Sequence, residues 1–370
     1  MIRNYFVCAN TARGFTNYFA SNLYGLKKVF ILKGGPGTGK STLMKKIGSI
    51  YHNMNYDVEY IHCSSDVASL DGVIIRKLGV AIVDGTAPHI IEPVAPGALE
   101  EYVHLGVAWD TAELELHVES ILKLQEEIKD HYEKAYNALE RGLLVHDDWE
   151  KIYIAQMNFA MANEIAEQLK HWILPDVKKE KEGVAFHRFF GAMTPTGPVD
   201  YIENLTADMK TRYFIKGRPG TGKSSILKKV SHAALDQGFD VEIYHCAFDA
   251  NSLDMVVIPE LHTCVFDSTE PHEHFPSREG DVIVDVYAEC ITKGTDETYA
   301  NQLAAIASEY AECIREAKGE LGLAKCLHDD LEHYYVKSTD FNQINQIRKD
   351  ILARIQKIQI SQTVESKFKE

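Results

Sequence analysis

An internal duplication is the feature that most constrains how this chain can fold. Shifting the sequence by 183 positions superimposes residues 34–42 (GGPGTGKST) on residues 217–225 (GRPGTGKSS), with seven of nine positions identical. The same shift places residues 62–71 (HCSSDVASLD) over residues 245–254 (HCAFDANSLD), with six of ten identical. Self-similarity at a fixed spacing indicates repeated structural units. We therefore predict two domains, residues 1–183 and residues 184–370.

The order of apolar segments predicts an α/β fold in each copy. A strand candidate runs into each glycine-rich segment, and a helix follows with apolar residues at Leu43, Met44 and Ile47, the spacing of one buried helical face. Further apolar strands end at His62 and Asp84. Strands that alternate with helices predict a parallel sheet in a three-layer α/β/α arrangement. The corresponding positions of the second copy are Ile226, Leu227, Val230, His245 and Asp267.

Each predicted core is followed by a segment of different composition. From about residue 111 to 181, and again from about 295 to 367, the sequence is rich in Ala, Leu, Glu and Lys. These residues favour helices. We predict a helical appendage on each domain. We expect an unknown protein partner to bind through these appendages. A repeated His-Asp-Asp segment in the appendages (146–148 and 328–330) fits a polar patch better than a metal site.

Both glycine-rich segments match the phosphate-binding pattern Gly-x-x-x-x-Gly-Lys-[Ser/Thr]. In that pattern the backbone amides surround the β-phosphate, the lysine reaches the β- and γ-phosphates, and the hydroxyl binds Mg²⁺. The predicted nucleotide-binding residues are Gly34, Gly37, Thr38, Gly39, Lys40, Ser41 and Thr42, with Gly217, Gly220, Thr221, Gly222, Lys223, Ser224 and Ser225.

A magnesium site is predicted from the aspartates that end an apolar strand, Asp84 and Asp267. An aspartate there typically helps to hold Mg²⁺ beside the serine hydroxyl of the glycine-rich segment, here Ser41 or Ser224. A strand-end aspartate can instead cap the next turn.

The group that activates water is harder to predict, because Gly85 and Ser268 stand where many ATPases have a glutamate directly after that aspartate. Asp66 and Asp249 follow a strand whose end should lie at the same edge of the sheet, and we predict them as catalytic together with Lys40 and Lys223. The alternatives are Asp71 and Asp254, which fit the caps of a turn or helix equally well.

Two further patterns have competing interpretations. Cys63, with His62 beside it and His89 nearby, offers zinc-type ligands, yet the spacing matches no known zinc site and buried strand-end residues fit better. Tyr18 lies upstream of the first glycine-rich segment, where it could stack on adenine, although a core position fits better. Their counterparts in the second copy are Cys246, His245, His272 and Tyr201.

Charge and composition exclude several classes of protein. The net charge of −15 disfavours nucleic-acid binding, which depends on Lys and Arg releasing counterions. We find no apolar run of the length that a membrane span needs. The seven cysteines are scattered without a Cys-x-x-Cys pair, which is typical of reduced thiols, so we expect a cytoplasmic protein.

These motifs resemble those of the P-loop NTPase superfamily over essentially the whole chain. Together with His-Cys-x-x-Asp-x-x-Ser-Leu-Asp and Asp-x-Thr-x-Pro-His, they are also similar to a family of bacterial tandem P-loop proteins described only as ATPases or putative nucleotide kinases. The resemblance implies ATP and Mg²⁺ binding at Lys40 and Ser41 and at Lys223 and Ser224, and it names no substrate. The loops are also similar to those of AAA+ ATPases, but the Asp-Glu pair of that class is missing.

The expected function is that of a Mg²⁺-dependent ATPase or ATP-driven switch with two nucleotide sites in one chain. One alternative is a nucleotide or small-molecule kinase, with Asp66 or Asp249 taking the proton of an acceptor hydroxyl. A second alternative is a scaffold that senses ATP without hydrolysing it. The lack of an Asn-Lys-x-Asp motif favours adenine over guanine.

Overall fold

The computed structural model describes residues 1–367, and of residues 365–367 only the backbone. The strands of the first sequence half are β1 (Ile2–Tyr5), β2 (Cys8–Thr11), β3 (Gly14–Asn17), β4 (Lys28–Lys33), β5 (Val58–His62), β6 (Leu70–Ile75), β7 (Val80–Asp84) and β8 (Glu100–His104). Its helices are α1 (Phe19–Leu23), α2 (Lys40–Asn53), α3 (Thr111–Glu115), α4 (Val118–Ile154) and α5 (Phe159–Ile173).

The second half repeats this succession of elements with one additional helix among those described. Its strands are β9 (Ala185–Arg188), β10 (Gly191–Thr194), β11 (Gly197–Asp200), β12 (Thr211–Lys216), β13 (Val241–His245), β14 (Leu253–Ile258), β15 (Thr263–Asp267) and β16 (Asp281–Asp285). Its helices are α6 (Ile202–Leu205), α7 (Lys223–Asp236), α8 (Val286–Cys290), α9 (Thr295–Thr298), α10 (Ala300–Lys337) and α11 (Phe341–Lys367). Both segments predicted as appendages are helical.

Each half builds a six-stranded sheet, so the predicted α/β class is confirmed. The strand orders are β1-β5-β6-β7-β4-β8 and β9-β13-β14-β15-β12-β16, and two small hairpins, β2-β3 and β10-β11, lie outside these sheets. The strand before each glycine-rich segment pairs directly with the strand that ends in Asp84 or Asp267. The sequence alone does not tell whether a further strand separates them.

The prediction of a wholly parallel sheet is wrong at one strand in each half. β6 pairs antiparallel with β5 and β7, and β14 pairs antiparallel with β13 and β15. The reason is the length of the connection: residues 63–69 alone join β5 to β6, whereas a parallel crossover needs about a dozen residues or more. The chain therefore turns back beside the strand it has just left.

The chain divides into two compact units that are not the two sequence halves. One unit contains Met1–Cys8, Leu23–Glu133 and the chain from Glu320 onward, and the other contains Ala9–Asn22 and Lys134–Gly319. Each unit therefore includes the sheet of one half and helical residues from the other half. The predicted boundary near residue 183 describes the repeat in the sequence, and it is not a boundary between these units.

Apolar packing within each unit confirms the predicted buried helix faces. In the first unit, Leu43, Met44 and Ile47 of α2 pack in one cluster with Ile351 and Ile355 of α11. The cluster residues of β4 are Phe30 and Leu32, which share one face of the sheet. The helices of this cluster therefore form a layer on that face, and the predicted three-layer arrangement stays a prediction.

The second unit has the matching arrangement. Ile226, Leu227 and Val230 of α7 pack with Ile165 and Leu169 of α5, a helix of the first sequence half. Burying a side chain of this size contributes roughly 1.5–3 kcal/mol relative to leaving it exposed. Among the residues that the structure describes, no helix is both long and apolar enough to cross a membrane.

Candidate functional site

Two glycine loops connect a central strand to the following helix. The first glycine loop (residues 34–39) joins β4 to α2, and the second glycine loop (residues 217–222) joins β12 to α7. Gly39 and Gly222 directly precede the helices with φ of 84° and 81°, a left-handed conformation that favours glycine. The hydroxyl of Thr38 donates to the Gly35 carbonyl at 2.8 Å, which closes the first loop on itself.

In the first unit, the lysine at the start of α2 faces the carboxylate at the end of β7. Lys40 Nζ donates to the carbonyl oxygens of Gly34 and Gly35 at 2.8 Å each, and it lies 3.5 Å from Asp84 Oδ2. The two groups meet because β4 and β7 are neighbouring parallel strands whose carboxyl ends share one edge of the sheet.

The second unit repeats this geometry. Lys223 Nζ donates to the carbonyl of Arg218 at 2.9 Å and lies 3.4 Å from Asp267 Oδ2. The Arg218 side chain turns away to an ion pair with Asp296 at 3.0 Å. In both units the ammonium group of the lysine and the carboxylate of the strand-end aspartate therefore lie close together beside the glycine loop.

The serines after the two lysines are held at the same edge. Ser41 Oγ accepts a hydrogen bond from the amide of Leu70 at 3.0 Å, and Ser224 Oγ accepts one from the amide of Leu253 at 2.9 Å. These amides begin the antiparallel strands β6 and β14. The remaining predicted loop residues Thr42 and Ser225 are exposed on their helices.

The strand-end aspartates have one carboxylate oxygen on the following turn and one beside the lysine, and their role in holding Mg²⁺ stays a prediction. Asp84 Oδ1 accepts from the amide of Thr86 at 2.8 Å, and Asp267 Oδ1 accepts from the hydroxyl of Thr269 at 2.5 Å. One carboxylate oxygen thus caps the following turn. The other oxygen, Oδ2 in each case, is the one nearest the lysine.

Asp71 and Asp254 lie inside the antiparallel strands, so their interpretation as caps of a turn or helix is wrong. Both side chains are buried, at 4% and 9% exposed. Burial, together with the neighbouring charge of Asp267, raises the pKa of Asp254 to about 6. Burial likewise raises the pKa of Asp71. Each half therefore holds a second, poorly solvated carboxyl group beside the strand-end aspartate.

The predicted catalytic aspartates are engaged by other groups. Asp66 accepts hydrogen bonds from the amide of Ala68 and the hydroxyl of Ser69, at 3.1 and 3.0 Å, so it stabilises its own turn. Asp249 accepts two hydrogen bonds from the guanidinium of Arg13, at 2.6 and 3.2 Å. Burial alone would raise the pKa of Asp249, but the hydrogen bond and charge of Arg13, together with the amide of Asn251 and the charge of His146, lower that pKa. Their catalytic role stays a prediction.

The second glycine loop opens into a cavity of about 1260 Å³ within its unit. Its polar lining includes Lys223, Ser224, Asp249, Asp254 and Asp267. Beside the first glycine loop, a smaller pocket of about 480 Å³ lies between Gly34, Thr86 and Trp109. Pockets for drug-sized ligands are about 300–1,000 Å³, so the larger cavity has room for a nucleotide and more.

Helical residues that sequence reasoning missed pack directly on the glycine loops. A Cβ added at Gly35 would lie 2.8 Å from the ring of Tyr335, and one added at Gly220 would lie 2.7 Å from the carbonyl oxygen of Glu150. The sequence feature that could have indicated these contacts was the repeated His-Asp-Asp segment. His146 of that segment lines the larger cavity, and burial lowers its pKa.

The aromatic and histidine candidates have packing partners within their units. The Tyr18 ring stacks on His245 with centroids 4.5 Å apart, and burial raises the pKa of Tyr18 to about 12. His62 is hydrogen-bonded through both ring nitrogens, to the Val67 carbonyl and to Asn4, at 2.9 Å each. These contacts favour the structural interpretation of Tyr18 and His62.

Comparisons of the chain with protein-family models, with curated proteins and with solved structures found no match.

Proposed function

We propose that the chain binds ATP with Mg²⁺ at both glycine loops and acts as a Mg²⁺-dependent ATPase or ATP-driven switch. One observation carries the proposal: in both halves a lysine that begins a helix and an aspartate that ends the neighbouring strand converge, at 3.5 Å for Lys40 and Asp84 and 3.4 Å for Lys223 and Asp267. The repetition of this geometry supports two nucleotide sites of one design.

The groups at each site fit a triphosphate and a hard cation. The N-terminal amides of a helix such as α7 attract phosphate oxygens. Mg²⁺ prefers oxygen ligands, which Ser224 Oγ and Asp267 Oδ2 supply in the second unit and Ser41 Oγ and Asp84 Oδ2 supply in the first. When bound, the cation would neutralise the charge that develops on the phosphates.

Asp254 is the best-placed residue to hold the attacking water. It lines the same cavity as Lys223 and Asp267, and its pKa of about 6 suits a group that accepts a proton near neutral pH. Asp249, in contrast, is already paired with Arg13. We therefore assign the proton-accepting role to Asp254 in place of Asp249.

A kinase is the second candidate, and the size of the larger cavity favours it. Beyond the glycine loop this cavity extends to Asn10, Met193, Pro198 and Tyr310, which leaves room for an acceptor next to the phosphates. In this reaction the carboxylate of Asp254 would accept the proton of an acceptor hydroxyl instead of one from water.

The test is equilibrium ATP binding and phosphate release for the wild type, Lys40→Ala, Lys223→Ala and the double variant. Lys46→Ala is the matched control, because Lys46 is exposed on the same helix as Lys40. We expect each loop variant to lose its own site, and the double variant to lose both. Tight ATP binding by the double variant would refute the proposal. Binding without phosphate release would exclude the ATPase and leave the kinase or a non-hydrolysing scaffold, which phosphate transfer from labelled ATP to candidate acceptors then separates.

A further inference from the structure

Three side chains with metal-binding donor atoms meet in the first unit, although they come from separate segments of the chain. Cys63 follows β5, Asp71 lies in β6 and His89 lies beyond β7. One ligand atom from each lies within 4.8 Å of the others, and His89 Nε2 is 3.5 Å from Asp71 Oδ2. Ligand atoms around a tetrahedral Zn²⁺ are about 3.3–3.8 Å apart at ordinary bond lengths, so small side-chain shifts would complete the geometry.

The surroundings of the Asp71 carboxylate favour a bound cation. The residue is 4% exposed, and its Oδ2 atom has no hydrogen-bond partner. The neighbouring Asp84 adds a second negative charge. A buried charge without compensation is costly. The charge of Lys40 and the His89 imidazole offset part of this cost, and a divalent ion bound to Oδ2 would supply the missing partner.

Contacts around the trio orient its donor atoms. The backbone amides of Ser65 and Asp66 hydrogen-bond to the Cys63 sulfur and fix its position. On the far side of the imidazole, His89 Nδ1 lies 3.3 Å from the sulfur of Cys8. That contact turns Nε2 toward Asp71. Such outer contacts typically fix the ring of a metal-binding histidine.

We propose that Cys63 Sγ, Asp71 Oδ2 and His89 Nε2 bind one Zn²⁺ ion, with the fourth position open to water. A thiolate, a carboxylate and a neutral imidazole suit Zn²⁺, whereas Mg²⁺ takes oxygen ligands. One thiolate and one carboxylate balance the two positive charges, so the buried centre is neutral. This site goes beyond the proposed nucleotide sites and shares no ligand with Ser41 and Asp84.

The second half provides an internal comparison. The repeat supplies Cys246, Asp254 and His272 at the matching positions, but Gly191 stands where the first half has Cys8. His272 Nδ1 instead lies 3.4 Å from Asp200. Among the residues that the structure describes, the ligand atoms of this second trio do not all lie within 4.8 Å of one another, as those of the first trio do. We therefore expect zinc at the trio of the first half and not at its counterpart in the second half.

Cobalt substitution tests the site on the full-length protein without nucleotide. The purified protein is stripped with chelator, loaded with Co²⁺ and dialysed. Bound metal is counted by mass spectrometry, and the thiolate-to-cobalt charge-transfer absorption is recorded. The wild type should retain about one ion per chain with this absorption. Cys63→Ser should lose the absorption, Cys8→Ala should weaken binding about tenfold, and the matched control Cys246→Ser should change neither.

Three results would overturn the site: no charge-transfer absorption in the wild type, the same absorption in Cys63→Ser, or an equal loss in Cys246→Ser. If circular dichroism shows that Cys63→Ser is unfolded, His89→Gln takes its place and must lower the affinity for Co²⁺. Lys40→Ala should keep the cobalt spectrum, because it removes a nucleotide-binding group and no zinc ligand. Failure of the nucleotide proposal therefore leaves the zinc result interpretable, and the reverse also holds.

Discussion

Lys223 Nζ lies 3.4 Å from Asp267 Oδ2, and the same pairing occurs 183 residues earlier at Lys40 and Asp84. The two side chains come from segments about forty residues apart in sequence, and they meet because β12 and β15 are adjacent parallel strands. In the proposed nucleotide complex, the lysine would exchange this contact for a phosphate oxygen and the carboxylate would turn to the cation.

Asp267→Asn should weaken ATP binding in the presence of Mg²⁺ by about 10- to 100-fold, because it removes a charged ligand worth roughly 1.5–3 kcal/mol. Binding without Mg²⁺ should change little. Titration calorimetry with and without Mg²⁺ measures both in a Lys40→Ala background, which isolates the second site. Glu270→Gln is the control, because Glu270 is an exposed carboxylate that also lines the cavity and is not a proposed Mg²⁺ ligand. An unchanged dependence on Mg²⁺ would contradict the assigned role of Asp267.

Replacing the proposed proton acceptor should slow phosphate release far more than replacing its neighbour. Asp254→Asn is expected to lower the turnover rate at the second site by about 10²- to 10⁴-fold, the usual contribution of a general base. Asp249 is already paired with Arg13 and is not the proposed proton acceptor, so the rate of Asp249→Asn should fall far less than the roughly 10²-fold that a general base contributes. Steady-state phosphate release in a Lys40→Ala background compares the two. The reverse order would restore Asp249 as the catalytic residue.

The raised pKa of Asp254 makes stability depend on pH in a defined direction. Its folded-state pKa of about 6 exceeds the value of about 3.9 for an unfolded aspartate, so between these pH values the folded state binds more protons. The contribution of Asp254 to stability is present below about pH 4 and is lost as pH rises to about 6. Asp254→Asn should therefore gain stability relative to the wild type over this range, by on the order of 3 kcal/mol.

Urea unfolding of both proteins at pH 4, 5, 6 and 7 measures that difference. Asp236→Asn, at the end of α7, is a control outside the cavity lining. A constant stability difference between Asp254→Asn and the wild type across this range would show that Asp254 titrates normally.

The two glycine loops differ in charge at one position, where the first has Gly35 and the second has Arg218. Exchanging these two residues should have unequal effects on stability. Gly35→Arg would bring a Cβ to 2.8 Å from the Tyr335 ring, and overpacking of this kind costs about 1–3 kcal/mol. Arg218→Gly loses an ion pair whose arginine is half exposed, which is worth about 0–1 kcal/mol. Thermal unfolding should show the larger drop in midpoint for Gly35→Arg. Adding Tyr335→Ala to Gly35→Arg should recover part of the loss, and no recovery would contradict this packing contact.

The sequence by itself determined the repeat, the α/β class and the position of each glycine loop between a strand and a helix. These features depend on local chemistry: a glycine at φ near 84°, an apolar strand that ends in Asp84, and the spacing of Leu43, Met44 and Ile47 along one helix face. Such patterns are formed by residues that lie near one another in the sequence, so a single sequence is enough to recognise them.

Only the tertiary structure decided which elements meet. The antiparallel strand that contains the buried Asp71 was not predicted, because a short apolar run does not show in which direction a strand pairs. That direction depends on the length of the connection to the preceding strand. The sequence also could not tell that α11 packs on α2, since an apolar helix face accepts many partners of similar shape. For the same reason the meeting of Cys63, Asp71 and His89 became visible only once the strands were paired, because sheet pairing joins residues that are far apart in the chain.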